Sequence, residues 1–173
     1  RTGNIARELC LPVDYFSYKM AQEAGVIMYN LLFRGVPVGL LLARIAFHIP
    51  REPAVWFWSA VSLGIAGYIG LVLYYMVGLS SFWTTETRTA WWVVTSLSLG
   101  LGGASMPLEV LPPAVEKIAR LSPFSCLCYH PARIYLELAG PESIWHSLLW
   151  AALLTALARF LTMRARARLE VQG

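Results

Sequence analysis

Long runs of apolar residues dominate this chain and alternate with short polar segments. The clearest run covers residues 55–79 and contains no charged residue. Two more cover residues 90–108 and 144–163, and a fourth, interrupted run covers residues 24–47. A helix needs about 20 apolar residues to cross a hydrocarbon core about 30 Å thick. The pattern therefore predicts an all-α protein, a polytopic transmembrane helix bundle with about four spanning helices.

The run at residues 24–47 is the least regular of the four. Arg34 lies near its middle, and an arginine at the bilayer centre costs at least about 2.5 kcal/mol. Two arrangements remain open. Either Arg34 faces the bundle interior or a wet cavity, or the helix begins earlier in the chain and sits differently in the membrane.

The polar segments divide the chain into one membrane domain over residues 1–173 with two flanking features. Residues 1–23 form a polar lead-in, and residues 112–142 form a longer outer-face loop. The loop begins with a short amphipathic helix after a proline pair, because four apolar residues share one side: Val115, Ile118, Ala119 and Leu121. Three further prolines then interrupt the loop: Pro123, Pro131 and Pro141.

The composition excludes an ordinary soluble domain, whose surface faces water. Hydrophobic residues make up 57% of the chain and charged residues only 14%, whereas soluble domains carry about 25% charged residues. The mean hydropathy is +0.56. The net charge of +4 does not indicate nucleic-acid binding, since no basic stripe or reader motif is present. Basic residues beside apolar runs instead favour contact with anionic lipid.

The basic residues also predict an orientation. The lead-in, the turn at residues 84–89 and the C-terminal tail fall on one side of the membrane, and together they carry more Lys and Arg than the opposite side. Because basic residues accumulate on the cytoplasmic side, both terminal ends are predicted to be cytoplasmic. The expected location is the cell (plasma) membrane, which the chain crosses several times.

Recognisable catalytic motifs are missing from the sequence. No phosphate-binding Gly-rich loop ends in Lys-Ser or Lys-Thr, and neither His-Glu-x-x-His nor Gly-x-Ser-x-Gly occurs. No catalytic residue is therefore predicted. Cys126, Cys128 and His130 form the nearest approach to a metal site, but their spacing is shorter than that of zinc sites and a fourth ligand is missing. We interpret them as packing residues and predict no metal site.

Glycines recur every three residues in the clearest apolar run, at Gly64, Gly67 and Gly70, with Gly78 further along. Two interpretations stay open. The glycines form a packing or gating face against another helix, or they reflect the general tolerance of membrane helices for glycine.

Several short motifs, in this order, resemble a known family. Phe82, Trp83, Thr84, Thr85 and Glu86 follow the clearest apolar run. Ser-Pro-Phe, with Pro123 and Phe124, and His-Pro-Ala-Arg-Ile, with Pro131 and Arg133, come later. Together with Leu-Pro-Val-Asp-Tyr in the lead-in, they look like the C-terminal part of the type-2 ABC exporter permeases, in particular the viologen-exporter-like branch.

The resemblance implies a permease subunit rather than an enzyme. Such permeases have six helices, so this chain would be a fragment lacking the first two. Two permeases, alike or different, pair to form the substrate path, and each engages a separate ATPase subunit that binds the ATP. The permease itself holds no cofactor. The resemblance places coupling to the ATPase in the lead-in, at Arg7, Leu11, Pro12, Asp14 and Lys19.

Two other classes of protein stay open at this point. A membrane enzyme would need polar groups that converge at one depth, and the sequence offers only the cluster from Cys126 to Arg133. A membrane scaffold without transport activity would need no ATPase partner.

Overall fold

The computed structural model describes residues 15–43, 50–80 and 87–170, without the side chains of residues 15, 42, 43 and 166–170. All regular structure in these ranges is helical, which confirms the all-α prediction. The α-helices are α1 (Tyr15–Asn30), α2 (Val36–Ala43), α3 (Pro53–Ser80), α4 (Thr87–Leu101), α5 (Pro113–Leu121), α6 (Tyr129–Tyr135) and α7 (Ser143–Glu170). A π-helical turn, Leu31–Gly35, joins α1 to α2, and 3₁₀ turns cover Leu108–Val110 and Pro123–Cys126.

Three helical stretches in the described ranges are long and apolar enough to cross a membrane. They are Phe16–Leu41, Pro53–Ser80 and Ser143–Ala165. These stretches correspond to three of the four predicted spans. The helix of the second stretch begins at Pro53, where a proline fits because the first turn needs no N–H donor.

The first stretch favours one of the two arrangements left open for Arg34. The helix begins at Tyr15, well before residue 24. Arg34 therefore lies roughly 28 Å along the helix from Tyr15, toward its far end rather than at its middle. No residue of the π-helical turn is buried, so Arg34 does not face the bundle interior of this chain.

The structure differs from the prediction at residues 90–108. Helix α4 has 15 residues and ends at Leu101, so it is about 22 Å long, shorter than the hydrocarbon core. The end comes earlier than Pro107 because Gly103 adopts a positive φ of 75°, a conformation that glycine takes without strain. The Gly102 carbonyl then accepts a hydrogen bond of 3.0 Å from the Tyr129 amide.

The core of the bundle lies between α3 and α7. Ile69 and Val72 of α3 are fully buried, and Ala151 and Ala158 of α7 face the same cluster. Small side chains at these α7 positions allow the two helices to approach closely. The Tyr68 and Tyr75 hydroxyls hydrogen-bond the Thr155 and Thr162 hydroxyls, each at 2.7 Å. Because both pairs advance by seven residues on both helices, α3 and α7 run parallel.

Contacts at the start of α1 define the two ends of the bundle. Phe16 packs edge-to-face on Tyr75, with ring centroids 5.1 Å apart. The Arg159 guanidinium lies over the Phe16 ring. We call this end, with Phe16, Ser80, Thr87 and Arg159, the basal end. The opposite end, where α3 and α7 begin, is the apical end.

Residues 102–142, here called the apical segment, pack against α3 and α7. The segment contains α5, which confirms the predicted short amphipathic helix. Of the apolar side proposed for this helix, Ala119 is buried, whereas Ile118 and Leu121 are exposed. The segment also reaches into the bundle, since the Leu127 side chain lies 3.7 Å from the Cβ position of Gly70.

Candidate functional site

A cleft between α1, α3 and α4 lies in the basal half of the bundle. Its volume is about 1070 Å³, above the upper end of the range typical of small-molecule pockets. The walls are aromatic and aliphatic, with Tyr74 and Tyr75 on α3, Trp91 and Trp92 on α4, and Ile27 on α1. A cleft of this size and character can admit an apolar or amphipathic molecule.

Glycines of α3 form one wall of the cleft. Gly67, Gly70 and Gly78 all line it. A Cβ atom added at Gly67 or Gly78 would meet nothing within 4 Å. These two glycines therefore do not serve close helix packing within this chain. Their lack of side chains instead keeps the cleft wide, and only Gly70 faces a neighbour, Leu127.

Charged side chains lie at the basal mouth of the cleft. Lys19 and Glu23 come from α1 and Arg88 from the first turn of α4. The Lys19 ammonium donates a hydrogen bond of 3.1 Å to the Gln22 side chain and lies near the Tyr18 ring. The cleft thus combines an apolar interior with a polar mouth at the basal end.

Most of the residues predicted to couple to an ATPase lie outside the described residues, namely Arg7, Leu11, Pro12 and Asp14. Lys19 is described, and it stands at the mouth of the cleft. The family-motif residues that follow α3 also lie outside the described residues: Phe82, Trp83, Thr84, Thr85 and Glu86.

The remaining family-motif residues all lie in the apical segment. Pro123 begins a 3₁₀ turn, and Phe124 packs against the α3–α7 core. Pro131 is buried in the first turn of α6. The Arg133 guanidinium donates a 2.9 Å hydrogen bond to the Tyr129 hydroxyl and a 3.2 Å bond to the Leu138 carbonyl. These residues shape the apical segment.

Tyr129 is the centre of a polar network in the apical segment. Its hydroxyl donates a 2.6 Å hydrogen bond to Glu109, and Glu109 also forms an ion pair of 3.4 Å with Arg120. The Tyr129 hydrogen bond holds the pKa of Glu109 below its usual value, and the charges of Arg120 and Arg133 act in the same direction. The network therefore keeps Glu109 ionised and joins the first 3₁₀ turn to α5 and α6.

A second cluster brings together Cys126, His130 and His146. The Cys126 sulfur lies 3.6 Å from Nδ1 of His146, and the two imidazole rings have centroids 5.1 Å apart. Burial raises the pKa of the Cys126 thiol. Burial is also the main cause that lowers the pKa of His130 to about 4, so this imidazole is neutral at physiological pH.

This cluster differs from the group of Cys126, Cys128 and His130 that lies together in the sequence. The structure places His146 of α7 there instead, and Cys128 does not belong to the group. No spacing rule links residues so far apart, so only the packing of α7 against the apical segment shows the group. The cleft was also missed, although the glycines that line it were noted.

The comparisons with known proteins agree with this architecture. The whole chain, residues 1–173, matches a family model described as ABC-2 family transporter protein. Neither a curated protein nor a solved structure matches the chain significantly.

Proposed function

The chain belongs to the ABC-2 family of transporter proteins, and from this premise we propose that it is the permease subunit of an ATP-driven exporter. It is a membrane protein with three helical stretches suited to spanning a bilayer. In the proposal, it forms the substrate path with a second permease subunit and is driven by separate ATPase subunits. The single observation that carries the proposal is the family match over the entire chain.

The cleft supports a role in admitting substrate. It lies between three helices, has apolar walls, and has its charged mouth at the basal end. In the proposed orientation the basal end faces the cytoplasm, because Lys19, Arg88, Arg159 and Arg164 gather toward it. An exporter must take its substrate from that side or from the inner leaflet, and a cleft open there suits the task.

The lead-in supports a role in coupling. Arg7, Leu11, Pro12 and Asp14 precede α1 directly in sequence, and Lys19 lies in its first turns. Force applied to the lead-in would tilt α1, which forms one wall of the cleft. ATP binding to the partner would therefore bias the cleft between two packings, open or closed toward the cytoplasm, which is the minimum requirement for alternating access.

Charge reversal tests the coupling role. In the full-length protein with its ATPase partner, we expect Lys19→Glu to reduce transport-coupled ATP turnover severalfold. Lys117→Glu is the matched control, because it reverses an exposed lysine of α5 at the apical end and should leave turnover unchanged. Equal turnover in both variants and the unaltered protein would remove Lys19 from the mechanism.

Filling the cleft tests its role in substrate passage. Gly67→Leu places a large side chain in the cleft, and the backbone there leaves space for it. Gly64→Leu is the matched control, since Gly64 lies one turn away on the same helix and outside the cleft lining. We expect transport to fall in the first variant only. Unimpaired transport by Gly67→Leu would exclude the cleft from the path.

A further inference from the structure

Cys126, His130 and His146 form a compact group of metal-ligating side chains in the apical half of the bundle. Each offers one ligand atom, and the three atoms lie within 4.8 Å of one another. Cys126 belongs to the second 3₁₀ turn, His130 to α6 and His146 to the first turn of α7. The group therefore joins two parts of the chain that only the fold brings together. We propose that these three side chains bind one Zn²⁺ ion.

The distance between Cys126 and His146 fits the geometry of a zinc site. Zinc binds cysteine sulfur at about 2.3 Å and histidine nitrogen at about 2.0–2.1 Å in tetrahedral geometry, which sets a sulfur-to-nitrogen edge of about 3.6 Å. The Cys126 sulfur and Nδ1 of His146 are 3.6 Å apart. His130 would need to approach by up to about 1.5 Å to complete the site, a shift that rotation of its ring can supply.

His130 supplies the second observation that indicates a ligand. Its Nε2 atom is buried and has no hydrogen-bond partner. Most buried polar side-chain atoms in proteins are paired, so this nitrogen needs an explanation. An unpartnered nitrogen on an imidazole that lies beside a thiol and a second imidazole can offer its lone pair to a metal ion.

The surroundings suit a soft or borderline ion rather than a hard one. Cys126 is fully buried and belongs to the same apolar cluster as Ile69 and Leu154. The three ligand atoms are sulfur and nitrogen, which select zinc over magnesium or calcium. The Cys126 thiol loses its proton as the Zn–S bond forms, and that proton passes to solvent. With three protein ligands, the fourth position of the ion is open to water.

Bound zinc would hold the apical segment against α7, because the ion takes ligands from both. This role is independent of the proposed export function, because the group lies apart from the residues that line the cleft. Failure of zinc binding would therefore leave the permease proposal intact, and failure of coupling to an ATPase would leave the zinc site intact.

Zinc retention tests the proposal directly. The full-length protein in detergent is stripped with a chelator, loaded with Zn²⁺ alone, desalted and assayed for bound metal. We expect the unaltered protein to retain one ion per chain and Cys126→Ser and His146→Asn to lose it. Cys128→Ser is the matched control, because that thiol lies two residues away but outside the group, and it should retain zinc. No retention, or equal retention in Cys126→Ser, overturns the proposal.

A spectroscopic measurement keeps the test valid should either variant fail to fold. Co²⁺ added to the stripped unaltered protein should give a sulfur-to-cobalt charge-transfer band and the visible bands of tetrahedral coordination, and Zn²⁺ should displace both. The absence of a charge-transfer band would exclude Cys126 as a ligand and overturn the proposal without any variant.

Discussion

Helices α3 and α7, and the helix that α1, the π-helical turn and α2 form together (the α1–α2 helix), are each long enough to cross a bilayer. The α3–α7 pair and the α1–α2 helix are held in different ways. Over the apolar 18-residue stretch of each helix, 28% of the residues are buried in α3, 22% in α7 and none in α1–α2. Two hydroxyl pairs and a shared apolar cluster join α3 to α7. The α1–α2 helix meets the bundle mainly through Phe16 and Met20 near its start.

The difference shows which helices this chain packs against one another. The α3–α7 pair buries a shared apolar cluster and joins tyrosine and threonine hydroxyls between the two helices. The apolar surface of α1–α2, including Phe33 and Leu40 with exposed fractions of 66% and 69%, must be covered by lipid or by another subunit. A helix held by few internal contacts can also move at low cost, as the proposed coupling through α1 requires.

The largest expected effect is on the free energy of unfolding, when one leucine in each of the two regions is truncated to alanine. Leu154→Ala removes a buried side chain from the α3–α7 core and should lower the free energy of unfolding by about 2–5 kcal/mol. Leu41→Ala removes an exposed leucine from α2 and should change it little. Unfolding in mixed detergent micelles measures both. Equal losses would contradict the contrast between the regions.

The next effect tests why α4 ends where it does. Gly103→Ala places a side chain at a φ of 75° and brings its Cβ to 3.2 Å from Cβ of Tyr129, so it should destabilise the fold by about 1–3 kcal/mol. Gly64→Ala lies in a helix with open space around it and should be neutral or slightly stabilising. The same unfolding assay compares them. A neutral Gly103→Ala would show that this backbone conformation is not required.

A smaller effect is expected for the hydroxyl pairs between α3 and α7. The Thr155 hydroxyl donates to the Ala151 carbonyl at 2.6 Å, so Tyr68 is the donor within the pair and Thr155 keeps a partner without it. A double-mutant cycle of Tyr68→Phe and Thr155→Ala should give a coupling energy of about 0.6 kcal/mol. Tyr74→Phe, on the exposed side of α3, is the control. A coupling energy near zero would show that packing alone, and not the hydroxyl pairs, holds α3 against α7.

The smallest expected effect is a loss of folding stability in acid, caused by protonation of Glu109 in the apical segment. The folded-state pKa of Glu109 lies below its ordinary value of 4.5, so ionised Glu109 stabilises the fold above that value. This contribution should be lost as the pH falls through the lower, folded-state pKa. Unfolding measured across that range in the unaltered protein and in Glu109→Gln tests the point. The stability gap between the two should narrow in acid, and a constant gap would contradict the assignment.

The sequence predicted the spanning helices well where the physical signal is local. Residues 55–79 lack any charge, and lipid permits little besides a helix for such a run. It predicted the length of α4 less well, because the glycines that end the helix are also common inside membrane helices. The sequence left the start of the first span open between two arrangements, since residues 15–23 are polar enough to resemble a surface segment.

The sites depend on contacts between distant parts of the chain, and the sequence indicates these poorly. His146 joins Cys126 across 20 residues, and no pattern of spacing predicts the contact. The cleft depends on Gly67 and Gly78, which have open space beside them and no packed neighbour. A repeated glycine in a sequence is equally compatible with close packing and with open space, so only the structure distinguishes them.

One measurement tests the central claim most directly. The full-length protein is reconstituted in lipid vesicles with its proposed ABC ATPase partner, and ATP turnover is compared with that of the ATPase alone. The account predicts a stable complex whose turnover is changed by the permease and is reduced again by Lys19→Glu. An ATPase that neither binds this chain nor responds to it would contradict the assignment as an exporter permease.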